Sequence, residues 1–292
     1  MGMFEGALTA LVTPFRNGRV DEGALRAIVS EQIAGGIDGL VPCGTTGEGF
    51  NITDAEFSKV IEVVVDEAKG KIPVIAGVGT ASTRHTIELA EISQRLKVDA
   101  VLVVNPYYCK PTQEGLFGHI AAVAHAVPLP IVLYNIPSRC GVDLSIATLE
   151  RLAAIEAVVG IKESTGTVQR SSEILKKFGD RFTVLSGDDA ITLPIMAVGG
   201  HGVISVAANV VPKEVSQLVD LFRAGDTAAA TRQHRRLAGL FEALFLEGNP
   251  GPVKFAMAAR GVMSEEIRLP MVAPAEATRR AIQQVLSELG AV

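Results

Sequence analysis

Eight short apolar runs recur along the 292-residue chain, and amphipathic stretches fill the gaps between them. The runs are "ALTALVTPF" (7–15), "DGLVPCG" (38–44), "IPVIAGVG" (72–79), "DAVLVVNP" (99–106), "IVLYNIP" (131–137), "VVGIKEST" (158–165), "FTVLSGDD" (182–189) and "GVISVAAN" (202–209). Each is nearly continuous in apolar, often β-branched residues rather than alternating. A strand reads that way when both of its faces are buried, as in a parallel sheet. Eight strands, each followed by a helix, is the count of an α/β chain forming a (β/α)8 barrel of the TIM type, which needs about 250 residues. A doubly wound open sheet is the competing architecture, but count and length favour the barrel. With 48% hydrophobic and 20% charged residues, the chain can bury a core of that size.

The stretches between the runs have helical spacing. "TDAEFSKVIEVVVDEAKG" puts Phe57, Val60, Ile61, Val64 and Val65 on one stripe, with Thr53 or Asp54 as cap and Gly70 as stop. "STRHTIELAEISQRL" repeats the plan with Ile87, Leu89, Ala90, Ile92 and Leu96. Past residue 210 strand patterns cease and only helical ones follow. The spacing therefore predicts a barrel over residues 1–225 and a helical extension over 226–292.

The formal net charge is -5, and no basic run or basic-aromatic stripe occurs, which argues against nucleic acid as a partner. Cys43, Cys109 and Cys140 are odd in number and lack CxxC spacing. Reduced thiols and a cytoplasmic location are expected. The opening residues lack a basic n-region, so no cleaved leader is expected. No apolar run reaches the roughly 20 residues of a membrane span.

In a parallel barrel, chemistry gathers at the C-terminal ends of the strands. Thr45 and Thr46 follow the second run, Tyr107 and Tyr108 the fourth. Tyr134 lies in the fifth run, with Arg139 just beyond it. Lys162 ends the sixth, Gly187 the seventh, and Ile204 lies in the eighth. Lys162 is the anomaly, because lysine is rarely buried without a partner or a use. A free lysine has a pKa near 10.4, and lowering it by about 3 units costs roughly 4 kcal/mol. An apolar site supplies such a shift by disfavouring the ammonium. The neutral amine would attack a carbonyl and form a Schiff base. A lysine placed here can also snorkel to the rim or pair with Glu163.

"GTTGEG" (44–49) offers backbone N–H groups and two hydroxyls to a small anion, or is a βα turn that needs glycine. It lacks the lysine of a P-loop, and "GVGTAS" (77–82) lacks the third glycine of a dinucleotide fingerprint. Arg139 suits bidentate recognition of a carboxylate. Phenols near a candidate lysine point to proton transfer. The five histidines show no metal-ligand spacing, so no metal is expected. Asp188-Asp189 reads as a pair capping the seventh helix.

Taken together, "GTTGE", "NPYYCKPTQEGL", "LYNIPSRCG", "GIKESTG", "LSGDDA" and "GGHGVISVAANV" resemble the dihydrodipicolinate synthase family. That family lies among the pyruvate-dependent class I aldolases that include N-acetylneuraminate lyase. The likeness runs from about Phe4 to the final helices. It implies a lyase of lysine and diaminopimelate biosynthesis that joins pyruvate to L-aspartate 4-semialdehyde. Lys162 would form the Schiff base. Tyr134 would shuttle protons with Thr45 and with Tyr108, the latter reaching in from a neighbouring subunit. Thr46, Ile204 and Gly187 would hold pyruvate, and Arg139 would bind the second substrate's carboxylate. No cofactor is implied, and the usual assembly is a homotetramer built from tight dimers. A sister aldolase acting on a sugar acid is the nearest alternative, and a non-catalytic binding barrel a more distant one.

Two departures stand out. Gly49-Phe50-Asn51 replaces the usual Ser-Ala-Thr or Ser-Pro-Thr type sequence, which bears on aldehyde preference. Where lysine-inhibited members carry polar ligands, this chain has Asp54, Phe57, Ala81 and His85. Weak or absent lysine feedback is expected.

Overall fold

The computed structural model describes residues 4–291. Eight parallel strands form the barrel: β1 (Gly6–Ala10), β4 (Gly39–Val41), β5 (Ile75–Gly77), β6 (Ala100–Val104), β7 (Ile131–Asn135), β8 (Val158–Glu163), β9 (Thr183–Ser186) and β10 (Gly202–Ser205). Their order is β4-β1-β10-β9-β8-β7-β6-β5. A parallel bridge between Leu40 and Val74 joins the two ends of that order and closes the ring. The amide of Leu40 donates to the Pro73 carbonyl, and that of Gly77 to the Pro42 carbonyl, both at 2.9 Å. The strands are buried along almost their whole length, which is why they read as unbroken apolar runs.

The first run splits where the sequence reading did not. Pro14 ends the barrel portion, and Phe15 begins a small hairpin of β2 (Phe15–Arg16) and β3 (Arg19–Val20). Asn17 and Gly18 both take positive φ, 54° and 75°, the backbone a two-residue hairpin turn requires.

Helices α1 (Glu22–Ala34), α2 (Asp54–Ala68), α3 (Thr83–Arg95), α4 (Gln113–Ala126), α5 (Pro137–Cys140), α6 (Ile146–Ala153), α7 (Val168–Phe178), α8 (Thr192–Ala197) and α9 (Pro212–Arg223) follow the strands. Thr53 caps α2 through a reciprocal bond with Glu56, the capping-box arrangement. The stop expected at Gly70 comes one residue earlier, because Lys69 already takes the left-handed conformation. Asp188 caps a single 3-10 turn (Asp189–Ile191) ahead of α8. Asp189 is not a cap. It is buried and accepts from the amides of Val206 and Ala207, at 3.0 Å each, tying the seventh unit to the eighth.

Three further helices, α10 (Thr227–Ala243), α11 (Gly251–Ala259) and α12 (Glu276–Leu289), complete the chain. Helix α10 packs on α9, and α12 packs on α10 and α11. Among the described residues no helix is long and apolar enough to cross a membrane.

Candidate active site

Strand register builds the centre of the site. Tyr134 on β7 is paired with Lys162 on β8, and paired residues of neighbouring parallel strands share a face. Both side chains are buried, each 6% exposed. The Lys162 Nζ lies 4.3 Å from the centroid of the Tyr134 ring, within cation–π range. Among the described residues no carboxylate lies within 4.0 Å of that nitrogen. Glu163, the next residue, leaves the opposite face of the strand. It accepts from Asn135 Nδ2 (3.1 Å) and from the Thr165 amide (2.7 Å), not from Lys162. Burial raises its carboxyl pKa.

Gly187, just beyond β9, lies against the lysine stem. A Cβ there would come 3.0 Å from Lys162 Cε and 1.8 Å from Ser164 Oγ. Its missing side chain therefore leaves room for Lys162 and Ser164.

A cavity of about 350 Å³ opens at this end of the barrel, lined by Thr45, Phe50, Tyr107, Tyr134, Arg139 and Met271 among others. Lys162 is not on its wall; the Tyr134 ring beside it is. Cys43 and Cys140 also line the cavity. Burial pushes both thiols up, Cys140 to about 11, so neither is a ready thiolate. Burial likewise raises the Tyr107 phenol.

The loop after β4 carries Thr45 and Thr46. It is pinned by bonds from Thr13 Oγ1 to the Gly47 carbonyl (2.7 Å) and from the Gly49 amide to the Gly44 carbonyl (3.0 Å). A Cβ at Gly49 would sit 1.9 Å from the Cys43 carbonyl oxygen, so the loop in this form accepts only glycine there. Phe50 lines the cavity and is half-exposed. Thr46 is buried and its Oγ1 accepts from Asn249 Nδ2 at 3.0 Å. Arg139 lies on α5 at the cavity edge, its Nη2 3.5 Å from the Asn249 carbonyl.

Two of the expected residues stand apart from this cluster. Ile204 is buried within β10 and does not line the cavity. Tyr108 takes φ 68° and is 93% exposed, so within one chain it turns away from Lys162.

Residues that the sequence reading passed over also matter here. Asn249 touches both Thr46 and Arg139 from the C-terminal segment. Glu48 and Lys254 form an ion pair at 2.5 Å, with both side chains buried. "NPGPVKFAMAA" did contain a signal: a lysine inside an apolar helix, the same oddity that singled out Lys162.

A (β/α)8 barrel that buries an unpaired amine beside a phenol, at the strand ends where barrels do chemistry, has the parts of a Schiff-base-forming class I aldolase. The chain matches the Dihydrodipicolinate synthetase family over residues 3–289, and it belongs to that family. It is 50% identical to the 4-hydroxy-tetrahydrodipicolinate synthase of Citrifermentans bemidjiense over 286 residues, 98% of this chain and 99% of that one. It is 52% identical to the enzyme of the same name from Sorangium cellulosum over 289 residues, 98% of this chain and 96% of the other. Among solved structures it resembles the chloride-inhibited dihydrodipicolinate synthase of Acinetobacter baumannii complexed with pyruvate. The TM-score is 0.97 at 41% identity, over 99% of this chain and 100% of that one.

Proposed function

We propose that this chain condenses pyruvate with L-aspartate 4-semialdehyde, the reaction of a 4-hydroxy-tetrahydrodipicolinate synthase, in the cytoplasm. The observation that carries the reading is Lys162: buried, without a carboxylate partner among the described residues, and over the Tyr134 ring. In the proposed sequence, the neutral amine attacks the ketone carbon of pyruvate. Tyr134 protonates the departing hydroxyl, water leaves, and an imine forms. Loss of a proton from the methyl carbon gives an enamine, whose carbon attacks the aldehyde. The amino group of the second substrate then closes on the imine carbon, and the bond to Lys162 breaks. Covalent attachment replaces one costly carbanion with two easier steps.

The remaining roles follow position. Thr45 passes protons to Tyr134, and Thr46, Ile204 and Gly187 shape the pyruvate site. Arg139, at the cavity edge, meets the incoming carboxylate as a bidentate donor. The exposure of Tyr108 supports a homo-oligomer, a tetramer of paired dimers, in which the partner subunit's Tyr108 completes the relay. Residues 1–225 carry all these groups, and residues 226–292 brace them.

Incubation with pyruvate and borohydride, followed by peptide mass spectrometry, tests the reading. A reduced pyruvyl adduct on Lys162 is expected, and its absence would remove the Schiff base. Turnover with aspartate 4-semialdehyde, set against a sugar-acid aldehyde, then separates this function from that of a sister aldolase.

A further inference from the structure

The loop bearing Thr45 and Thr46 is also held from the far end of the chain. Glu48 follows those threonines in the left-handed conformation, φ 52°, and is fully buried. Its amide donates to the Thr45 carbonyl at 3.1 Å. Its carboxylate takes the Lys254 ammonium on Oε1 (2.5 Å) and the Arg268 backbone amide on Oε2 (3.2 Å). The Phe15 ring lies 4.2 Å from the Lys254 ammonium and 4.0 Å from the Arg268 guanidinium. Asn51 Nδ2 donates to the carbonyls of Arg268 (3.1 Å) and Leu269 (2.9 Å). Arg268 in turn grips Glu56 at the start of α2.

An ion pair is an expensive way to fill this space. Each charge loses its hydration, and two apolar side chains of similar volume often serve stability as well or better. What the pair supplies and packing does not is an atom-to-atom register. That register ends on the turn whose first residue is Thr45. A shift of a bound group by about 1 Å costs as much as 100-fold in rate, so the value of such a register lies in the site it fixes.

We infer that the buried Lys254–Glu48 pair is a positioning device that holds the Thr45–Thr46 turn in its pyruvate-binding form. Helix α11 thereby sets pyruvate affinity without touching the substrate. The inference rests on the reading that Lys162 binds pyruvate, and the two are tested separately.

The test uses the full chain with Glu48→Gln and Lys254→Met together, which removes both charges and leaves neither stranded. This variant is expected to melt within about 5 °C of the parent. Its KM for pyruvate is expected to rise about 10- to 100-fold, with the KM for the aldehyde within about two-fold. An unchanged pyruvate KM, or an equal rise in both, overturns the inference. If the double variant does not fold, Lys254→Arg keeps the charge but alters the register. It is expected to raise the pyruvate KM about 3- to 10-fold, and an unchanged value again overturns the inference. Borohydride trapping of the parent distinguishes the two failures. No adduct in the parent overturns the Schiff-base reading and this inference with it. An adduct in the parent with unaltered pyruvate KM in the variants overturns the inference alone.

Discussion

Lys162 and Lys254 are both buried lysines in apolar surroundings, 6% and 1% exposed, and their neighbourhoods differ in one respect. Each ammonium lies over an aromatic ring, at 4.3 Å for Lys162 and 4.2 Å for Lys254, but Lys254 has a carboxylate at 2.5 Å and Lys162 has none within 4.0 Å among the described residues. Burial lowers the pKa of Lys254, and Glu48 opposes that shift. A charge so matched is held in place. An amine without such a partner keeps its lone pair available once the proton leaves. On the proposed reading, burial alone does not mark the nucleophile; burial without a counter-charge, beside a phenol, does.

The largest expected effect breaks the first half of the comparison. Lys162→Ala should abolish the pyruvate adduct and lower turnover at least about 10³-fold, and it orphans no charged partner. A variant that still traps pyruvate on borohydride would move the nucleophile elsewhere. Lys254→Met acts first on stability. Stranding the Glu48 carboxylate should cost about 3–5 kcal/mol in urea unfolding, most of it recovered by adding Glu48→Gln. A loss below about 1 kcal/mol would mean that Glu48 had found another partner. Arg139→Ala should remove a charge-assisted contact of about 1.5–3 kcal/mol. That is roughly a 10- to 100-fold rise in the KM of the aldehyde with little change for pyruvate; equal effects on both substrates would deny Arg139 its proposed role.

A third buried base extends the contrast to pH. His119 on α4 is 2.9 Å from Thr83 Oγ1, with no counter-charge paired to it among the described residues; burial pushes its pKa down to about 4. The unfolded chain takes up this proton near pH 6.5. Between those two values protons favour the unfolded state, so stability falls as the pH is lowered. The loss from this group should be about 2 kcal/mol between about pH 7.5 and about pH 5. Urea titrations at both pH values should show a shallower loss in His119→Gln; equal losses would assign the acid sensitivity to other groups. The smallest expected effect concerns free lysine, whose ammonium needs the partner that Lys254 has. Of the residues at the positions where lysine-inhibited members carry polar ligands, Asp54 is already engaged by His85 at 2.9 Å and Phe57 is buried. Low millimolar lysine should leave turnover nearly unchanged, and strong inhibition in a steady-state assay would refute this.

What the sequence made legible was whatever a local pattern encodes. Unbroken apolar runs announced a parallel barrel, and Lys162 stood out against Val158–Ile161 because polarity within a run is visible without coordinates. Asn17-Gly18 carried a hairpin signal that was hidden by counting Phe15 with the first strand. Other features depend on distance. Nothing near Tyr108 in sequence says that its ring turns outward, since that follows from one left-handed residue. The bonds from Asn249 to Thr46 and from Lys254 to Glu48 join segments whose meeting is set by how the last helices pack on the barrel.

The Glu48–Lys254 contact spans 206 positions. A ribosome adds about 5–20 residues per second. The loop with Thr45 therefore waits roughly 10–40 s at that pace before its clasp is even synthesised. Every barrel strand is made before Lys254 emerges. The pocket is thus a late product of synthesis, finished only when the tail of the chain has folded back onto its beginning.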